Sequence, residues 1–267
     1  MSKEIIVSGD WHIRASTPIS RKERNWWDDV LKPKIEFILS LGLPIYHTGD
    51  FFDRSNFSSL KVLNWMKQYK NSFTVIPGNH DISNYNWGNI KDSAFYNIFD
   101  HENLPSSFAI EGCIDEYSKN VDILFYHGWV TDKKEVPFYM DGKGLTAKDL
   151  LKKYPDPKII LTGDNHESFI YRKEDRIVIN PGSLTRSTKT QKNYKPKVYE
   201  LNIETLDVKT IYIPINDDVW MEEEDLEYEK LEFQSNIDSG LDFIEIVIKL
   251  SKEKNIPEKE IKKWALL

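Results

Sequence analysis

Short apolar runs recur along the first two thirds of the chain, and each is followed by a polar or acidic cluster. Ile5 to Val7, Pro44 to Tyr46, Phe73 to Ile76, Ile123 to Tyr126 and Ile159 to Leu161 are rich in β-branched and aromatic residues and have strand length. Such runs predict buried strands. Between them, 3.6-residue periodicity predicts helices at Arg21 to Ser40, Ser58 to Tyr69 and Thr146 to Lys153. The first would turn Trp26, Trp27, Val30, Leu31, Ile35, Ile38 and Leu39 inward and be kinked or split by Pro33. After His166 the texture changes to shorter strands at Ser168 to Arg172, Ile177 to Asn180, Lys197 to Asn202 and Val208 to Pro214, with a tight turn at Asn180-Pro181-Gly182-Ser183. Strand and helix alternate, so the fold class is α/β, with the polar clusters at strand carboxyl ends. In layered α/β folds those ends gather along one rim, where ligands bind.

From Asp217 the pattern breaks down. An acidic run is followed by an amphipathic stretch carrying Ile237, Leu241, Ile244, Val247, Ile248 and Leu250, then Pro257, Ile261 and Trp264. Two segments are therefore expected: a catalytic-sized domain over 1–216 and an acidic, amphipathic helical tail over 217–267. The tail would dock a partner or a second copy, or fold back on its own domain.

Composition narrows the class. The 267 residues are 40% hydrophobic and 13% aromatic, enough for a substantial core and too apolar for a mainly disordered chain. No apolar run reaches the roughly 20 residues of a membrane helix, and the start at Met1 carries no signal-peptide pattern. A single cysteine, Cys113, excludes an internal disulfide and a multi-thiolate metal site. A cytoplasmic location is expected. The formal charge of −7 argues against a surface coated for nucleic-acid binding, though not against a nuclease.

The polar clusters carry the chemistry. They read Asp10-Trp11-His12, Gly49-Asp50-Phe51-Phe52-Asp53, Gly78-Asn79-His80-Asp81, His127-Gly128 and Gly163-Asp164-Asn165-His166, and they take in four of the six histidines. Imidazoles, carboxylates and an amide oxygen suit a borderline-to-hard divalent cation, and too many are present for one ion with an open position. Two ions sharing a carboxylate is the economical reading.

In this order the clusters resemble the calcineurin-like metallophosphoesterase pattern D-x-H, G-D-x-x-D, G-N-H-[DE], H, G-H-x-H. The resemblance implies a two-sheet β-sandwich flanked by helices, the later strands completing the second sheet. It also implies the ligands. Asp10, His12 and His166 would hold one cation, Asn79, His127 and Asp164 the other, and Asp50 would bridge. His80 would stand outside the metals and protonate the leaving oxygen, with Asp81 orienting it.

The closing motif departs from the family. Asp164 stands where the pattern has its first histidine, so the second position gains charge and hardness, favouring Mn²⁺ or Mg²⁺ over Zn²⁺, with Fe²⁺ also possible. Asp164 either ligates directly or supports a more weakly held ion. Among other residues, His47 reads as a core histidine, His101 as a surface one and Asp53 as a loop-fixing group. Arg54 and Arg186 are phosphate-clamp candidates, Arg186 the better placed because it follows the Asn180 turn. Trp11, Tyr85, Trp87 and Trp129 flank the motifs; packing is the default for each, and Trp11 has the best claim to touch substrate.

Reaction type is clearer than substrate. The segments Gly9-Asp10-Trp11-His12-Ile13-Arg14, Gly49-Asp50-Phe51-Phe52-Asp53-Arg54 and Asn180-Pro181-Gly182-Ser183-Leu184-Thr185-Arg186 are similar to the SbcD-type nucleases of double-strand-break repair and their short phage-borne relatives. A DNA nuclease is the first expectation and a small-molecule or nucleotide phosphodiesterase or phosphatase the alternative. A metal-poor interaction module acting through the tail is the third, and the resemblance to the repair complexes implies an ATPase as the partner it would dock.

Overall fold

The computed structural model describes residues 3–18, 20–136, 144–215 and 220. Along the chain, β1 (Glu4–Ser8) leads to a single π-helical turn at Trp27–Leu31 and helix α1 (Lys32–Ser40). Then come β2 (Ile45–His47), α2 (Leu60–Lys67), β3 (Phe73–Val75) and α3 (Ala94–Ile98). The middle holds β4 (Phe108–Ile110), β5 (Ile114–Glu116), β6 (Ile123–His127), β7 (Val130–Thr131), β8 (Leu145–Thr146) and α4 (Ala147–Lys153). Last are β9 (Ile159–Gly163), β10 (Phe169–Lys173), β11 (Arg176–Asn180), β12 (Lys197–Asn202) and β13 (Val208–Tyr212).

These strands form two main sheets. One has the order β13-β12-β1-β2-β3, with β1, β2 and β3 parallel; the other runs β10-β11-β9-β6-β4-β5, with its four inner strands parallel. Side chains alternate across the second sheet with the two-residue strand period. Phe125, Ile159, Leu161, Ile177 and Ile179 join Ile5, Val7, Ile45 and Val75 in the main core. Their neighbours Leu124, Tyr126, Ile160 and Val178 face the other way, onto Ala147, Leu150 and Leu151 of α4. The result is two sheets flanked by helices.

Two expectations need correction. The late strands do not all complete the second sheet: β10 and β11 join it, but β12 pairs antiparallel with β1 and extends the first. An alternating strand can add to either open edge, so nothing local distinguishes the two. The first helix also begins later than Arg21. The Asn25 side chain accepts from the Asp28 N–H at 3.2 Å, fixing the entry to the π turn at Trp27. Pro33 then sits in the first turn of α1, where its missing N–H costs nothing, and the pitch changes there from π to α.

By internal contacts the chain divides into two compact units, Met1–Thr17 with Glu23–Asp217, and Pro18–Lys22 with Asp218–Leu267. Within the second, Arg21 bridges Trp220 and its guanidinium lies 4.8 Å from the indole centroid. The tail expected over 217–267, and any partner it docks, otherwise falls outside the described residues. Among these, no helix is long and apolar enough to cross a membrane.

Trp11 belongs to the core, as the packing default has it, and its candidate contact with substrate is corrected accordingly. It is 0% exposed, donates from its indole N–H to Ser8 Oγ at 2.7 Å, and packs against His47, Phe51 and Phe73. Trp11→Ala is expected to lower unfolding free energy by about 3–5 kcal/mol, the usual cost of emptying a large aromatic site. Urea denaturation in EDTA checks this; a loss under about 1 kcal/mol would return Trp11 to the surface.

Candidate metal centre

Every motif sits where a parallel strand ends. Asp10 and His12 follow β1, Asp50 follows β2, and Asn79 and His80 follow β3. His127 closes β6, and Asp164 and His166 follow β9. Backbone pairing continues beyond the strands, with Asp10 N–H donating to Gly49 O and His12 N–H to Asp50 O, both at 3.0 Å. The two sheets are tied here. His127 Nδ1 lies 2.8 Å from the Thr48 carbonyl, and the Asp164 N–H donates to Asp10 Oδ1 at 3.0 Å.

Close approach explains the glycines of the motifs. A Cβ on Gly49, whose φ is +107°, would lie 2.3 Å from His127 Nδ1, and one on Gly78 would lie 2.1 Å from Asp50 Oδ1. The functional side chains themselves are held in strained backbone. Asp10, His12, Asp50 and Asp164 have φ of 48°, 44°, 51° and 79°, the left-handed region that costs non-glycine residues about 1–3 kcal/mol each.

The side chains converge into overlapping triads. Asp10, His12 and His166 offer one ligand atom each, all within 4.8 Å of one another, and so do Asp10, Asp50 and His127. His12 Nε2 and His166 Nε2 approach to 3.0 Å. Beside them Asp10 Oδ2 is buried with no hydrogen-bond partner, an orphaned carboxyl oxygen that a cation would satisfy. Asp50 faces both sides: Oδ2 lies 3.6 Å from His12 Nε2, and Oδ1 lies 3.4 Å from His127 Nε2. His127 Nε2 is also 2.9 Å from Asn79 Oδ1. These residues fit divalent cations in both charge and donor type.

Burial sets the protonation states. It holds His12 down at about 3, against the pull of Asp50, and lowers His166 as well, so both imidazoles are neutral and ready to ligate. Burial would also lower His127, but the charge and hydrogen bond of Asp50 outweigh it and raise this imidazole to about 10. Asp50 is correspondingly pulled below the carboxylate range by His127, although burial opposes this. Asp10 is pushed well up by burial, and Asp164 is raised for the same reason.

Other expected residues take different places. His80 is exposed, its ring edge-on to His12 at 4.8 Å, and it forms a third triad with His12 and Asp50. Its Nδ1 faces the Asp53 carbonyl at 2.9 Å. Asp81, expected to orient His80, does something else: its oxygens accept the N–H groups of Gly78, Phe51 and Phe52 at 2.8–2.9 Å, clamping two motif loops together. Asp164 is half-buried, and its carboxylate joins none of the triads. The Arg186 guanidinium donates to the Lys192 carbonyl at 2.9 Å. His47 is a buried core histidine and His101 an exposed one.

Sequence reasoning missed two orienting groups, the carbonyls of Asp53 and Thr48, because a backbone oxygen leaves no side-chain signal. It also placed Tyr85 in packing. The ring is 50% exposed with φ of 54°, and its phenol is pushed to about 12 by burial and by the nearby Asp164 and Asp50 charges.

The Calcineurin-like phosphoesterase superfamily domain matches residues 4–203, and the chain belongs to that superfamily. No curated protein is a match. Among solved structures, an archaeal phosphodiesterase is 19% identical with a TM-score of 0.43, over 79% of this chain and 99% of that one. Vacuolar Protein Sorting 29 from Cryptosporidium parvum is 14% identical with a TM-score of 0.40, over 80% and 98%. A putative 5'-nucleotidase from Staphylococcus aureus is 14% identical with a TM-score of 0.45, over 85% and 57%.

A cation entering this cluster must displace the protons that burial and the Asp50–His127 pair retain. Mn²⁺ binding is therefore expected to release protons and to tighten as pH rises from 6 to 8. Calorimetry in buffers of different ionisation enthalpy measures the release. Affinity independent of pH, with no proton released, would contradict these protonation states.

Proposed function

We propose that the chain is a divalent-metal-dependent phosphodiesterase and that its substrate is DNA. The observation that carries the first part is the unpartnered Asp10 Oδ2, buried beside the facing Nε2 atoms of His12 and His166. The second part is supported by the SbcD-like sequence segments described above. In this reading Asp10, His12 and His166 bind one cation, Asn79, His127 and Asp164 bind the other, and Asp50 bridges them. The cations, Mn²⁺ in the first instance, would supply Lewis-acid polarisation of the phosphoryl oxygens and an acidified water.

The chain's own residues then divide the remaining work. His80 stands at the edge of the cluster with Nδ1 held by the Asp53 carbonyl. That contact fixes the ring and leaves Nε2 to carry a proton to the leaving oxygen. Asp81 keeps the Asp50 and Asn79 loops in register through its three backbone contacts. A second reading, hydrolysis of a nucleotide or another small phosphodiester, is favoured by the formal charge of −7.

With Mn²⁺, the protein is expected to hydrolyse bis-p-nitrophenyl phosphate and single-stranded DNA. Cleavage of cyclic nucleotides but not DNA would select the second reading. His80→Ala should retain both ions and slow hydrolysis of diesters with poor leaving groups by ~10²–10⁴-fold, whereas Asp50→Asn should lose metal. If His80→Ala loses both ions, its role as proton donor is wrong.

Asp164→His should shift metal preference from Mn²⁺ or Mg²⁺ toward Zn²⁺, because imidazole replaces a hard oxygen. Asp164→Ala should weaken only the second ion. Metal titrations of the three proteins check this, and identical second-ion affinities would remove Asp164 from the ligand set.

A further inference from the structure

The two metal-facing loops continue side by side past their ligands. Ile13 bridges Phe52 in parallel, and the Asp53 N–H donates to the Ile13 carbonyl at 3.1 Å. Arg14 and Arg54, the next cationic residues on the two strands of backbone, therefore emerge together. With Ser16, Asp53, Ser58 and Ser59 they line an open groove of 480 Å³. The Asp53 carbonyl that faces His80 Nδ1 joins this groove directly to the metal centre.

The groove has cationic donors to spare. Arg14 places one terminal nitrogen 3.5 Å from Asp53 Oδ1 and donates with the other to Ser16 Oγ at 3.4 Å, while its Nε is buried with no partner. Arg54 lies 4.0 Å from Asp53 Oδ2 with its side chain 78% exposed. Two guanidinium groups thus share one carboxylate, leaving a net positive charge. At one wall, Ser59 begins α2 without a side-chain cap, so the helix's first N–H groups add to the positive end. A forked guanidinium beside an uncapped helix start suits a phosphate. The volume also exceeds what a lone phosphate needs.

We propose that this groove binds the phosphate adjoining the scissile one in a single-stranded polynucleotide. The assignment rests on the phosphodiesterase reading of the neighbouring metal centre. Arg14 and Arg54 would act as positioning residues: they touch a phosphate that does not react, and they set the strand's register over the ions.

Binding can be read without catalysis. A fluorescently labelled oligodeoxynucleotide in EDTA, followed by anisotropy across a salt series, is compared for the wild type, Arg54→Gln and Arg14→Gln/Arg54→Gln. The single variant changes an exposed side chain and guards against a folding artefact. The double variant is expected to bind about ten-fold more weakly, with a salt slope shallower by about 0.7, one phosphate contact on a single strand. Unchanged affinity and slope would overturn the proposal. So would arginine-dependent binding of inorganic phosphate with no arginine dependence for the oligonucleotide. With Mn²⁺ added, the double variant should lose at least about ten-fold more kcat/KM on the oligonucleotide than on bis-p-nitrophenyl phosphate, which has no second phosphate. An equal loss on both would assign the arginines a general structural role and overturn the groove. A wild type that hydrolyses neither substrate yet shows arginine-dependent DNA binding would sink the phosphodiesterase reading while supporting the groove.

Discussion

The Asp50 carboxylate is 1% exposed at the seam between two sheets, and a second carboxylate, Asp10, is 0% exposed within the same triad. Their ligand atoms lie within 4.8 Å of each other, so ionising both would set two negative charges against one another at a cost of roughly 3 kcal/mol at an effective dielectric of 20, before any desolvation cost is counted. The chain alone supplies one strong remedy, the raised imidazole of His127, and it leaves Asp10 Oδ2 without a partner. A core evolved only for stability would not retain that arrangement. Divalent cations would resolve it, because they would supply the missing positive charge and take the same oxygens as ligands.

The surrounding architecture follows from placing those charges at one point. Parallel strands deliver the loops to a common rim, and contacts across the seam, His127 to Thr48 and Asp164 to Asp10, fix one sheet against the other. Four site residues occupy left-handed backbone, and motif glycines make room for neighbouring atoms where any Cβ would collide. Strain of this kind persists only where surrounding contacts overdetermine it. The packed aromatic layer of Trp11, Phe51, Phe73 and Phe99 beneath the loops provides that support.

Much of this was legible in the sequence, for identifiable reasons. Apolar runs of strand length located β1, β2, β3, β6 and β9, and the polar residues after each run marked the rim. What failed depended on long-range partners. Trp11 stands between two proposed ligands, but only the distant Phe73 and His47 reveal that it is buried. Asp81 adjoins His80, yet in the tight turn at Asn79–Asp81 successive side chains diverge by about 120°, so neighbours in sequence face different groups. Strand β12 carries the same alternation whichever sheet it joins. The carbonyls that orient His80 and His127 belong to the backbone and have no residue-type signature.

The central claim is that Asp50 lies between two cations. Anomalous scattering from crystals grown with Mn²⁺, recorded on either side of the manganese edge, tests it most directly. The account requires two peaks flanking the Asp50 carboxylate, one against Asp10, His12 and His166 and the other against Asn79 and His127. No peak beside Asp50, or a single peak that Asp50 does not touch, would contradict it.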